Sequence, residues 1–261
     1  TIDYLNRSLR GGRIDLAKVL WQGKLSDFPY RDHNGRFLVD AKVVDATFNF
    51  NQAWPDITDL NVDLIFSNER MDILSQQGEL AGLRLGQGVV VSIDDLSNAK
   101  TLNVDIETLQ QAEKLQPFFA ATPLNSSVGT VLETVQGKGE VLGKTRILVP
   151  LSKQGEVEVT GEVDFSNTPV YIAKPGIPFD NVTGTLTFNN NDIALKNAKA
   201  TWLGMPFNFN LQGEQKDANY ALSLTGDALW QVNDIVKHTQ GVMAGYLSGV
   251  VPFDIEFNME L

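Results

Sequence analysis

WPDITDLNVDLIFSNERMDI, from Trp54 to Ile73, decides the fold, because PGIPFDNVTGTLTFNNNDIAL, from Pro175 to Leu195, repeats its pattern. In both stretches a Pro-marked turn leads through an Ile into a strand whose alternate residues are apolar: Val62, Leu64 and Phe66 in the first, Val182, Leu186 and Phe188 in the second. An Asn-rich turn follows, Ser67-Asn68-Glu69 or Asn189-Asn190-Asn191, and then a short return strand. Alternation with period two, broken by turn residues and resumed, is the pattern of a β-hairpin.

The likeness spreads outward in both directions. GRFLVDAKV from Gly35 matches GEVEVTGEV from Gly155, and LGQGVVVSI from Leu85 matches LGMPFNFNL from Leu203. YLNRSLRGGRIDLAKVLWQGKL from Tyr4 has the order of VLETVQGKGEVLGKTRILVPL from Val131: a short helix, a Gly break and a long strand. Self-similarity at a fixed period of about 120 residues identifies a stacked architecture. The division that follows is a first β-repeat over 1–107, a helical segment over 108–136, a second β-repeat over 137–226, and a helix with the start of a third repeat over 227–261. No Ser/Gly linker separates the copies, so they are expected to share one continuous, elongated domain.

Read in order, the strands keep one apolar face. Val39 and Val43 alternate with Asp40 and Lys42, Leu85 precedes Val89 and Val91, and Val104 lies between Asn103 and Asp105. The second copy continues with Val149, Val157, Val159 and Val163, then Leu186 and Phe188, then Phe207 and Phe209. Its other face carries Glu156, Glu158, Glu162, Thr183, Thr185 and Thr187. A parity slip between Leu16 and Val19 indicates a bulge in the first long strand. Period two gives way to period 3.6 at Leu109, Ala112, Leu115, Phe118 and Phe119, which reads as a helix, and Ser126-Ser127 can cap a further helix over 128–135. Residues 2–9 and 229–236 read as helices as well. The fold class these strands define is mainly β, a long antiparallel sheet with a few short helices.

Composition excludes several functions. Lys and Arg number 21 against 32 Asp and Glu, a formal charge of −11, so there is no basic stripe to neutralise nucleic-acid phosphates. The absence of cysteine removes disulfides, thiolate metal sites and Cys nucleophiles, and suits an oxidising compartment. No apolar run approaches the roughly 18 residues of a membrane span. His33, in a turn, and His238, near a helix end, have no nucleophile or ligand at recognisable spacing. Asp94-Asp95 and Asn190-Asn191-Asp192 lack the Gly and terminal Glu of a helical calcium loop and read as turns. The Gly-rich run from Gln136 to Lys144 lacks the Lys-Ser/Thr pair of a phosphate loop and reads as a helix stop. No catalytic residue, metal site or cofactor is expected. A carbohydrate-binding module or glycoside hydrolase is disfavoured by the want of an evident acid pair.

What remains is the apolar face, which must be covered by another layer, by the sheet's own curl or by a ligand. A packed β core would make the protein a spacer or a protein-interaction scaffold. An open trough would offer a surface to acyl chains.

WQGKLSDFPY with GRFLVDAKVVDATFNF, then WPDITDLNVDLIFSN and RLGQGVVVSIDDL, resembles the AsmA-like bridge-like lipid transfer family of Gram-negative envelopes, most closely its YhdP branch. The match covers essentially the whole chain. The resemblance implies that the antiparallel sheet is curled into an open groove, and that the chain is a piece of a longer, inner-membrane-anchored protein whose periplasmic β-groove conducts phospholipids toward the outer membrane, with its anchor outside this stretch. It implies phospholipid acyl chains as cargo, membranes at the ends of the full-length protein, possible envelope protein partners and no catalytic motif. The lining it assigns is the inward set: Val39, Val43, Val62, Leu64, Phe66, Leu85, Val89, Val91, Val104, Val149, Val157, Val159, Val163, Leu186, Phe188, Phe207 and Phe209.

Overall fold

The computed structural model describes residues 6–126, 128–152, 155–174, 176–216, 219–239 and 248–260. Within them the chain is mainly β. The strands are β1 (Leu9–Gln22), β2 (Arg36–Phe48), β3 (Ile57–Ser67), β4 (Arg70–Leu80), β5 (Leu83–Arg84), β6 (Val89–Ile93), β7 (Thr101–Gln111), β8 (Val135–Gly137), β9 (Glu140–Pro150), β10 (Glu158–Ile172), β11 (Ile177–Asn189), β12 (Asp192–Trp202), β13 (Met205–Lys216), β14 (Asn219–Gln231) and β15 (Val250–Glu260). The α-helices are α1 (Leu115–Ala120), α2 (Val128–Thr134) and α3 (Val232–Thr239).

The hydrogen-bonded order is β1-β2-β3-β4-β6-β7-β9-β10-β11-β12-β13-β14-β15, with β5 on β4 and β8 on β10, so the sheet is not closed. This order repeats itself. β2, β3, β4, β6 and β7 recur as β10, β11, β12, β13 and β14, and β4 and β12 are both eleven residues long. The backbone carries the repeat more sharply than the side chains do. Left-handed residues fall at Asp45, Asp59, Asn68, Ala81 and Gly82, and again at Asn167, Asn181, Asn190, Leu203 and Gly204, each pair offset by 122 (167 − 45).

Asn68 and Asn190 turn the two hairpins read from the sequence, where a short polar side chain tolerates the left-handed region. Asn68 is fastened further by a hydrogen bond from the Phe37 N–H to its Oδ1, 2.9 Å. Asp45, Asp59, Asn167 and Asn181 do something else. Asp45, Asp59 and Asn181 sit inside strands as bulges, where the pairing register shifts and the inward parity changes, and Asn167 marks the same change of inward parity in β10. In β2 the buried residues are Ala41 and Val43 before Asp45 but Ala46 and Phe48 after it. In β12 they are Ile193 and Leu195 before Asn197 but Ala198 and Ala200 after it. A bulge leaves an N–H without a ladder partner, and the next strand supplies one. Asp45 donates to Asn61 Oδ1 (3.0 Å), Asn167 to Thr183 Oγ1 (3.3 Å) and Asn197 to Asn210 Oδ1 (2.8 Å). A bulge bends its strand and switches its inward parity, so residues on both sides of it can face the apolar side.

Several local readings differ from the structure. β7 runs on through Gln111, so Leu109 belongs to the strand and is exposed, and the helical segment opens with a 3₁₀ turn at Ala112–Lys114. Strand pairing prevails there over a helical spacing of only a few residues. α2 ends at Thr134, and the Gly-rich run is mostly strand, ending β8 and opening β9, with Lys138 and Gly139 between them and Gly139 in the left-handed region. The register shifts of β1 lie at Leu9/Gly11, Gly11/Arg13 and Ile14/Leu16, just before the expected slip. Residues 6–8 are helical, while 1–5, Ser127 and the 240–247 start of the expected third copy lie outside the described residues.

The chain packs as two units. One comprises Thr1–Thr108, Ala121–Pro123 and Lys144–Thr160, with its core between the β2–β7 strands. The other comprises Leu109–Ala120, Leu124–Gly143 and Gly161–Leu261. In the second, α1 and α2 bury Phe119, Val128 and Val131, and Phe119 meets Phe188 edge-on with centroids 6.4 Å apart. Phe188 is the last inward residue of β11 before its turn, so the helices sit at the rim of that unit's apolar face.

Candidate functional site

Strand pairing assembles the apolar face pair by pair. Residues directly opposite on neighbouring strands share a face of the sheet. In the first unit Val39 is opposite Phe66, Val43 opposite Val62, Phe66 opposite Met71, Ile73 opposite Val91, and Val91 opposite Val104. In the second, Leu186 is opposite Leu195, Leu195 opposite Leu211, Leu211 opposite Leu224, and Leu224 opposite Phe257.

Of the inward set read from the sequence, Val43, Val62, Leu85, Val89, Val91, Val104, Val149, Val159, Phe188, Phe207 and Phe209 are buried. Val39, Leu64, Phe66, Val157, Val163 and Leu186 are half-buried, and Val157 precedes β10 rather than lying in it. Seven of them, Val43, Val62, Leu64, Phe66, Leu85, Val89 and Val91, line one cavity of about 120 Å³ in the first unit. The sequence reading did not assign Ala46, Phe48, Ile57, Leu60, Met71 and Ile73 to this lining. For Ala46, Phe48 and Ile57 the missing signal was the Asp at 45 and 59: an acidic residue between two apolar pairs of opposite parity marks a left-handed bulge.

The cavity is apolar throughout. Its one polar residue, Ser75, donates to the Gly86 carbonyl and accepts from the Val89 N–H at 3.2 Å, so its hydroxyl is spent on backbone. With no free polar group in its lining, this partly open space gives water little to bind and suits an apolar guest.

The second unit is lined differently. Phe179 stacks on Phe207 and Phe209, with centroids at 5.5 and 5.2 Å. Trp202, Trp230 and Phe253 continue the cluster, Trp230 over Phe253 at 4.7 Å and Trp230 Nε1 donating to the Pro206 carbonyl at 2.8 Å. Trp54 is buried against Phe50, a packing role.

Charges keep to the other face and the turns. Arg70 pairs with Asp72 and Asp94, Arg31 with Asp95 (2.6 Å), and Arg146 with Asp105 (2.6 Å). Asp95 also caps the 3₁₀ turn Leu96–Asn98, and the Ser97 hydroxyl, the Ser97 and Asn98 amides and Arg31 together hold its carboxyl below the ordinary 3.8. Asp94 and Asp95 thus act as turn residues. His33 lies exposed in a left-handed turn, and the His238 side chain is outside the described residues. Among the described residues no group of His, Cys, Asp and Glu could hold a metal ion, and no helix is long and apolar enough to cross a membrane.

An open antiparallel sheet, repeated along the chain and apolar on one face, defines a class of protein that presents an extended apolar surface. The chain belongs to the YhdP family, whose profile, the YhdP protein, matches residues 1–261. It is similar to the intermembrane phospholipid transporter YhdP of Escherichia coli (strain K12), at 28% identity over 261 residues. That match covers 100% of this chain and 20% of the transporter, so the chain spans about a fifth of its relative. No solved structure matches.

Proposed function

We propose that this chain is a segment of a periplasmic conduit that carries phospholipids between inner and outer membrane, their acyl chains lying on the apolar face and their headgroups toward the open side. The observation that carries this reading is the partly open apolar cavity lined by Val43, Val62, Val89 and Val91 together with half-buried Leu64 and Phe66. At about 120 Å³ it is smaller than the roughly 300–1,000 Å³ of a site that encloses a whole ligand, and it suits part of a chain rather than a closed lipid. Each methylene kept from water is worth about 0.8 kcal/mol, so an apolar path lowers the barrier to crossing an aqueous compartment without any chemistry. The family membership and the phospholipid transporter among its relatives support the same reading.

The stacked and buried Phe179, Phe207 and Phe209 favour a second reading for the other unit, a filled core that acts as spacer or protein-docking scaffold. Photoreactive residues at Leu64, Phe66 and Leu186 in the full-length protein separate the two. Phospholipid adducts at these inward positions, and none at exposed Thr187, are expected of a conduit. Absence of adducts at all three inward positions leaves the scaffold.

A further inference from the structure

Tyr220 opens β14 on the apolar face, with 2% of its surface exposed. Its hydroxyl is buried and, among the described residues, has no hydrogen-bond partner. The ring crosses to the neighbouring strand and lies over Gly213. A Cβ there would stand 2.6 Å from the Tyr220 hydroxyl and 2.7 Å from Ile193 Cγ1. An aromatic ring laid over a glycine of the next strand is a packing device, and it accounts for the ring. It does not account for the oxygen. Phe207 does the same work over Gly226 from the same sheet without a hydroxyl. Buried polar groups are nearly always paired, and one that is not calls for a partner. Burial, followed by the nearby carboxylates of Asp192 and Glu214, raises the phenol's ionisation well above its usual range, so the group is neutral and able to donate.

The location narrows the acceptor. Tyr220 stands next to the β13–β14 turn, where the apolar face, Ile193 and Leu222, gives way to Asp192, Glu214 and Lys216. A tyrosine at such a boundary matches an amphiphile at the point where its chains meet its polar part. We propose that the Tyr220 hydroxyl is a lipid-binding group that donates a hydrogen bond to the ester carbonyl of an acyl glycerolipid lying on the apolar face. The proposal rests on the conduit reading and assigns it a residue. The hydroxyl is covered in this structure, so lipid binding must turn the Tyr220 side chain off Gly213.

The test uses the full-length protein, wild type and Tyr220→Phe, with two probes: a diazirine-bearing diacyl phosphatidylethanolamine and its diether analogue, which lacks the ester carbonyls. The wild type is expected to capture the ester probe about three- to tenfold better than the ether, the range of one neutral hydrogen bond. Tyr220→Phe is expected to bring that ratio to about one and to melt no lower than the wild type, having lost only an unpaired hydroxyl. Equal capture of the two probes by the wild type, an unchanged ratio in the variant, or a lower melting temperature, which would betray a partner within the protein, each overturns the proposal. If the wild type captures neither probe, the conduit reading falls and takes this inference with it, whereas capture without ester preference overturns the inference alone.

Discussion

Val182 and Leu186 lie on one strand and face the same way, but Val182 is 1% exposed and Leu186 is half-buried. Substituting aspartate at each separates a trough from a packed core. At Val182 the carboxylate has no route to water. It loses roughly 1.5–3 kcal/mol of side-chain burial and adds several kcal/mol of polar desolvation, enough to consume much of a stability of about 5–15 kcal/mol. At Leu186, opposite Leu195, an open wall lets the carboxylate reach solvent, leaving mainly a partial loss of burial, about 1–2 kcal/mol. That is a fall of a few degrees in melting temperature for a unit of this size. Thr187→Asp is the outward control, losing only an exposed hydrogen bond to the Ala194 carbonyl. Thr185 is a poorer control, since its hydroxyl donates to Asp164 at 2.6 Å and an aspartate there would set two carboxylates together. Thermal unfolding beside phospholipid photocrosslinking is expected to show Val182→Asp unfolded, Leu186→Asp folded with capture sharply reduced, and Thr187→Asp unchanged. Equal destabilisation by the two inward aspartates would refute the reasoning, because it would mean that the face around Leu186 has no access to water.

Three further outcomes follow from the same geometry. At Asn181, with φ 55°, Asn181→Val should cost about 1–2 kcal/mol and Asn181→Gly well under 1 kcal/mol in denaturant titrations, since a β-branched residue resists the left-handed region. Gly88→Ala would drive a methyl into the Glu107 carbonyl, a backbone atom that cannot yield without breaking the Glu107 N–H bond to Gly88 O (2.7 Å); a loss of about 1–3 kcal/mol or more is expected on melting. The Asp95 cap is fully present above pH 3.8 and is lost as pH falls through its lowered folded value, so NMR titration of the Ser97 and Asn98 amides should give a midpoint below 3.8 that Ser97→Ala moves upward.

Sequence by itself determined the hairpins, the antiparallel class, the near-120-residue period and that each strand has one apolar face. These depend on neighbours along the chain: alternation sends successive side chains to opposite faces, and Asn-rich turns reverse the strand where they stand. All of the inward set read from the sequence turned out to be buried or half-buried. Tertiary structure alone decided where parity changes. Asp45, Asp59, Asn181 and Asn197 become left-handed bulges only because pairing with the next strand fixes register on both sides of them. Hence Ala46, Phe48 and Ile57 join the cavity, while strand pairing keeps Leu109 in a strand instead of letting it start a helix. Degree of burial was likewise decided across strands, because it depends on which distant residues come to lie above a side chain. Tyr220 shows this most plainly: its alternation foretells an inward ring, but only the glycine beneath it on the next strand reveals a hydroxyl left without a partner.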